Sequence, residues 1–288
     1  VVRLGTFDPR AQRRLLASKL GVDDISDMLL AFVSRTCEGN PLYLEEMLRF
    51  LVQSGQVAVR DGRAEYVATV RAPTLPGSLH ALVSSRIDAL DSASKGVLQL
   101  AATIGSDFSI HLLAEAAGMD DVRTIVDDLT QRHLLVQDGP ETWAFVSELV
   151  RETVLHGILG VQRRDQHLLV ASALETLYAD ALEPWHETLA HHCAAGGRIV
   201  DAARYAHMAG QRMESAQFLD RALAAYRRGL GWLEQAPEQA STWDARTQGE
   251  AMLRYRIGTL NITMGDAGRG ERDLQLALDI SSDAGLPW

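Results

Sequence analysis

The 288-residue chain holds two cysteines, Cys37 and Cys193, far apart in the sequence. That scarcity excludes a disulfide framework and leaves no Cys-x-x-Cys spacing for a metal, so a reducing cytosol is the expected compartment. Aromatic residues make up only 6%; Ala and Leu abound, which favours helices packed through small contacts. No apolar run approaches the ~18 residues of a membrane-spanning helix. Basic residues are outnumbered, 28 Lys and Arg against 38 Asp and Glu, for a formal charge of −10. That balance argues against nucleic acid or an anionic membrane as principal partner. Also missing are a Gly-x-x-x-x-Gly-Lys-[Ser/Thr] loop to cradle phosphates and a Gly-x-Ser-x-Gly nucleophile elbow. The chain opens on Val1 with no Met or signal pattern and closes on Trp288 just after a helical pattern, so both ends read as cut.

What is present is a mainly α-helical pattern, long enough for about two domains at roughly 100–200 residues each. Asp8-Pro9 starts a helix that Gly21 stops; a second runs over 25–37 and a third from Pro41 to about Gly55. Alternation of Val57, Val59, Tyr66 and Val67 around Asp61-Gly62 predicts a β-hairpin, and Pro73 and Pro76 mark a linker. After a helix over 79–90, Ser92 is expected to cap a helix to Ile104, and further helices follow over 109–117 and 120–133. Strands at 134–136 and 143–146 then form a two-stranded wing, which is the winged-helix order. Helices over 147–159 and 161–178 come next. Beyond Pro184 small residues recur as in paired-helix repeats of ~34 residues: Gly210 with Ala222, Tyr226 and Gly229, then Gly258, Gly265, Gly270, Leu274 and Ala277, with 236–245 an inserted loop. Ala202, Ala206 and Ala209 hint at an earlier hairpin.

The most informative local feature is the turn Gly39-Asn40-Pro41. Gly39 allows unusual backbone angles, Asn40 is a good N-cap, and Pro41 suits the first helical turn. On the residues alone this is either an ordinary helix start or a turn tight enough for backbone to approach a ligand. His186-Glu-Thr-Leu-Ala-His191 superficially resembles a His-Glu-x-x-His zinc motif, but Ala190 holds the second ligand position and His191 lies about 100° further round the helix. His192 is worse placed, so a histidine-rich helix surface or a polar helix contact is the better reading. In the third winged-helix element, Asp120, Asp121, Asp127 and Asp128 outweigh Arg123 and Arg132, which disfavours DNA contact. Arg163 and Arg164 read as a solvated helix end or as a latch to a further domain. Tyr205, Tyr226 and Trp232 read as packing, and Cys37 has no paired histidine.

Five strings occur in a recognisable order: Gly39-Asn-Pro-Leu-Tyr-Leu-Glu-Glu46, Leu75-Pro-Gly-Ser-Leu-His-Ala-Leu-Val-Ser-Ser-Arg-Ile-Asp-Ala-Leu90, Leu98-Gln-Leu-Ala-Ala-Thr-Ile-Gly105, Phe145-Val-Ser-Glu-Leu-Val-Arg-Glu-Thr-Val154 and Leu189-Ala-His-His-Cys-Ala-Ala-Gly196. In that order the chain resembles the C-terminal half of STAND-type signalling ATPases of the AAA+ class. The look-alikes are the ATPase portions attached to bacterial adenylate cyclase domains and to large LuxR-type transcriptional regulators. The resemblance implies an AAA+-type helical lid over 1–76, a winged-helix domain with a short β-wing over 77–160 and a TPR-like α-superhelix over 161–288. It implies ATP or ADP with magnesium, held mainly by a P-loop core preceding Val1, with Gly39, Asn40 and Pro41 against the adenine side of the nucleotide. No catalysis is expected of these residues alone. Implied partners are the ATPase core, a protein or small effector on the repeats, and further copies of the chain; nucleic acid and membrane are not among them. Two departures stand out. Ser147 replaces a frequent histidine, and Leu42 or Tyr43 falls where many AAA+ lids carry an arginine, with Arg35 the nearest cation. The alternatives are a stand-alone helical interaction scaffold and, less favoured, a DNA-binding regulator.

Overall fold

In a computed structural model of the chain, the structure describes residues 8–37, 40–67, 79–235 and 243–285. Gly39, the linker around Pro73 and Pro76, and the first part of the expected loop at 236–245 lie outside these. The chain divides into two compact units, Val1–Lys95 with Ser147–Val154, and Gly96–Val146 with Leu155–Trp288.

The first unit is built on local stop and start signals. Helix α1 (Pro9–Leu20) is capped by Asp8, whose Oδ1 accepts from the Ala11 amide at 2.6 Å. It ends on Gly21 at φ 64°, whose amide reaches the Ala17 and Ser18 carbonyls. Strand β1 (Asp24–Ile25) takes Ile25, at which the second helix was expected to start, so α2 (Asp27–Cys37) begins later. α3 (Pro41–Gln53) leads into the expected hairpin, β2 (Val57–Arg60) and β3 (Arg63–Tyr66). Its turn places both Asp61 (φ 47°) and Gly62 (φ 73°) in the left-handed region, as a type I′ turn requires. β3 pairs antiparallel with β2 and parallel with β1, so the sheet order is β1-β3-β2. Leu16, Ile25, Leu29, Val33, Leu44, Met47, Leu51 and Ala64 close the core, joined by Leu82 of α4 (Leu79–Asp88).

Helix α5 (Ser92–Ile104) starts in the first unit and continues into the second. Its cap is Asp91, not the expected Ser92: Asp91 Oδ1 accepts from the Ala93 and Ser94 amides at 2.9 and 3.0 Å. Then come β4 (Asp107–Ser109), α6 (Ile110–Ala117), α7 (Val122–Gln131), β5 (Leu135–Gln137) and β6 (Thr142–Phe145). The expected two-stranded wing is thus three-stranded, in the antiparallel order β4-β6-β5. β4 is only three residues, too short to show alternation, and is recruited by pairing Phe108 with Trp143. Trp143 is fully buried, and Phe108 meets Phe145 edge-on. The order helix, strand, helix, helix, hairpin is that of a winged helix.

Helix α8 (Glu148–His156) is followed by α9 (Gly160–Leu177), two 3-10 turns (Ala179–Ala181 and Glu183–Trp185), α10 (His186–Gly196), α11 (Ile199–Ser215), α12 (Leu219–Gln235), α13 (Trp243–Thr263) and α14 (Ala267–Asp283). Within the second unit α9 is tied to α5 by two side-chain bonds. Thr103 Oγ1 donates to Gln166 Oε1 and Gln162 Nε2 to Gln99 Oε1, both at 2.9 Å. α11 with α12 and α13 with α14 form helical hairpins whose crossings are set by the small residues that the spacing singled out. A Cβ on Gly210 would fall 2.2 Å from the Tyr226 ring. A Cβ on Gly258 or Gly270 would fall 2.9 or 2.7 Å from the other glycine's carbonyl oxygen, so there backbone packs on backbone. Ala222, Tyr226, Leu230 and Leu233 meet Leu253, Ile257 and Leu260 in one core.

Candidate functional site

At the start of α3, the Asn40 side chain caps the helix: Oδ1 accepts from the Tyr43 amide at 3.3 Å, and the Asn40 carbonyl from the Leu44 amide at 2.9 Å. Asn40 is exposed and Pro41 partly so; Gly39, the third residue of the expected site, is outside the described residues. Tyr43 keeps a buried hydroxyl with no hydrogen-bond partner among the described residues. Burial, and secondarily the neighbouring Cys37, push the Tyr43 pKa up. Cys37 is buried and its thiol is pushed up to about 12, so it is not a nucleophile at neutral pH.

One turn further along α3 the pattern of charge becomes specific. Glu46 is 1% exposed and shares its oxygens between two arginines. Arg49, one turn on, donates to Oε1 at 2.7 Å, and Arg86 of α4 donates to Oε2. Arg86 is itself buried, which lowers its pKa, an effect that Glu46 opposes. The first two strings that carry the family resemblance therefore meet through a buried ion pair. Sequence reasoning passed over this pair because 40 residues separate its members, and no local pattern links them.

The remaining candidates are placed as follows. Ser147 caps α8, its Oγ accepting from the Val150 amide at 3.4 Å. Arg35 lies exposed on α2, and Arg163 and Arg164 are exposed near the start of α9. On and beside α7, Arg132 is paired with Asp128 at 2.7 Å and Arg123 with Glu141 at 3.3 Å, while Asp120, Asp121 and Asp127 are exposed. Tyr205 and Tyr226 are core residues whose hydroxyls donate to Glu175 and Glu214. The histidines of α10 separate. His186 stacks on Tyr205, whereas His191 and His192 pack with His167 of α9. His167 Nδ1 and His192 Nδ1 lie 2.8 Å apart in the interior, so one ring donates and the other accepts. Burial pushes His167 down to about 4, with His191 and Arg163 adding to it, and His192 down to about 3, with His167 and His191 adding to it. Among the described residues no three His, Cys, Asp or Glu side chains converge as a metal's ligands would.

At the start of α3 the described residues offer an exposed Asn40, a partly exposed Pro41 and the buried Tyr43 hydroxyl. The sequence holds no Gly-x-x-x-x-Gly-Lys-[Ser/Thr] loop for phosphates. No helix among the described residues is long and apolar enough to cross a membrane.

A family model described as a domain of unknown function (DUF8739) matches residues 9–65, which run from α1 into β3. No curated protein matches the sequence. Among solved structures, a Signal Transduction ATPase with Numerous Domains (STAND) protein with a tetratricopeptide repeat sensor, from Pyrococcus horikoshii, is similar at 14% identity and a TM-score of 0.42. The match covers 99% of this chain and 42% of that one, so the chain spans less than half the length of the protein it matches.

Proposed function

We propose that this chain is the regulatory part of a STAND-type signalling ATPase, a switch whose nucleotide engine lies in a P-loop core outside these residues. The observation that carries the reading is the buried pair between Glu46 and Arg86. It welds the helix that begins at Asn40-Pro41 to the helix that precedes the winged-helix elements. A helix start touching the base of a bound nucleotide would then move together with α4 rather than independently of it. Helical hairpins follow in the same chain and supply the surface on which a protein or small effector acts. In this scheme ATP and ADP favour two arrangements of the lid-like helices. An effector biases that equilibrium only through contacts that differ between the two.

Hydrogen exchange on the natural protein with its core tests the reading. Protection of the 41–88 segment is expected to differ between ATP-bound and ADP-bound protein, and Pro41→Ala is expected to weaken nucleotide binding. Identical exchange in both states, or no nucleotide binding at all, overturns it and leaves the stand-alone scaffold. The DNA-binding alternative is disfavoured by α7, whose arginines are engaged by carboxylates.

A further inference from the structure

A cleft of about 220 Å3 opens within the second unit, between the 3-10 turn at Glu183–Trp185, the first turn of α10, the last turns of α11 and the start of α12. Its apolar side is formed by Met213 and by Phe218, a large ring left 55% exposed with the Arg221 guanidinium 6.0 Å over it. Its polar side is unusual in two respects. Arg212 faces Glu183 at 3.7 Å and Arg221 faces Glu187 at 3.9 Å, beyond hydrogen-bond distance and with all four side chains substantially exposed. Glu187 is held more closely by Arg228, at 2.7 Å, so the Arg221 guanidinium has little claim on it. At the cleft also lies His186, whose Nδ1 is buried without a hydrogen-bond partner. A buried polar nitrogen left unpaired is costly, and native structures keep few of them.

We propose that this cleft binds a small carboxylic acid with a branched or aromatic tail. The carboxylate would accept hydrogen bonds from Arg212 and Arg221, the His186 nitrogen would complete its bonding on the ligand, and the tail would cover Phe218 and Met213. Two loosely paired guanidiniums beside an apolar wall suit this chemistry: a carboxylate takes charge-assisted bonds from arginine better than from a point cation. The cleft has the volume of a molecule of amino-acid size rather than of a folded partner. Burial lowers the His186 pKa, an effect that Glu183 opposes and Arg212 and Arg204 reinforce. Glu183 decides between two sources of the same chemistry. A free amino acid gains an ammonium contact there, and a deaminated acid does not.

Calorimetric titration of the purified chain tests this with no nucleotide present, so its result is independent of the switch reading. The probes are leucine, phenylalanine, 4-methylpentanoate, phenylacetate and the amine 3-methylbutylamine. At least one acid is expected to bind, with affinity falling as salt rises. Arg212→Ala and Arg221→Ala should each weaken it about ten-fold with an unchanged melting temperature. Phe218→Ala should weaken it too, and Arg272→Ala, exposed on α14, should not. Leucine above 4-methylpentanoate identifies amino acids as the ligand, and Glu183→Gln then removes the difference; the reverse order identifies deaminated acids. The proposal falls if no acid binds at about 10 mM, if the amine binds as well as the acids, or if both arginine variants bind undiminished.

Discussion

Glu46 and Arg86 are 1% and 7% exposed, so neither charge can be solvated if its partner is removed. Glu46→Ala is therefore expected to lower the unfolding free energy by about 3–5 kcal/mol, because it removes a buried carboxylate partner of the Arg86 guanidinium. Replacing both by methionine should recover most of that loss, since a buried pair and an apolar pair of similar volume differ little. Urea denaturation of the three proteins checks this; equal destabilisation by the single and the double change would refute it. The His167–His192 pair makes a second prediction. Both are held neutral in the fold, at about 4 and about 3, whereas an unfolded histidine titrates near 6.5. As pH falls below that unfolded value, the unfolded chain takes up protons first. The pair's contribution is thus full above about pH 6.5 and is lost progressively down to about 4 and then 3. The urea midpoint should drop between pH 7 and pH 5, and more steeply than in His167→Phe/His192→Leu. None of these partners was legible beforehand. Glu46 and Arg86 sit in separate strings, and His191-His192 reads as one polar patch until the helix turns His192 inward and brings His167 to it.

Among the elements, those whose ends are specified by neighbouring residues were read correctly: α1 between Asp8 and Gly21, and the hairpin through Asp61-Gly62. Elements that depend on a distant partner were not. β1 is two residues that become a strand only because β3 pairs with them in parallel, and β4 exists because β6 lies beside it. The hairpin glycines fall between these cases, since their spacing is visible in sequence while the closeness they permit is not. Gly258→Ala and Gly270→Ala should each destabilise the protein by more than about 1 kcal/mol, because the added methyl meets a backbone oxygen that cannot rotate away. Gly231→Ala, on α12 with open space around its Cα, should instead stabilise by about 0.5–1 kcal/mol through helix propensity. Thermal melts of the three variants decide it, and a uniform effect of the same sign would contradict the packing argument.

For the whole molecule, the formal charge of −10 combines with the exposed Asp127 on α7 and Asp120 and Asp121 just before it. Random-sequence duplex DNA is accordingly expected to show no binding by fluorescence anisotropy even at about 50 mM salt, where non-specific attraction is strongest. Binding that weakens with added salt would reopen the DNA-regulator reading. The tie between α5 and α9, through Thr103–Gln166 and Gln99–Gln162, has a consequence at this scale too. It keeps the winged-helix strands and the hairpins in one cooperative unit, so hydrogen exchange should protect α5 and α9 alike.

From composition and periodicity alone came the helical class, the first helix and the Asp61-Gly62 turn, because each of those is dictated within a few residues by backbone sterics, capping and the burial of one apolar face. Folding added the pairings that span tens of residues: Glu46 with Arg86, His167 with His192, β1 with β3, and the cleft among Glu183, His186, Arg212, Arg221 and Phe218. A side chain's partner across such a gap follows from how helices cross, and the linear pattern carries which face is apolar but not what that face will meet.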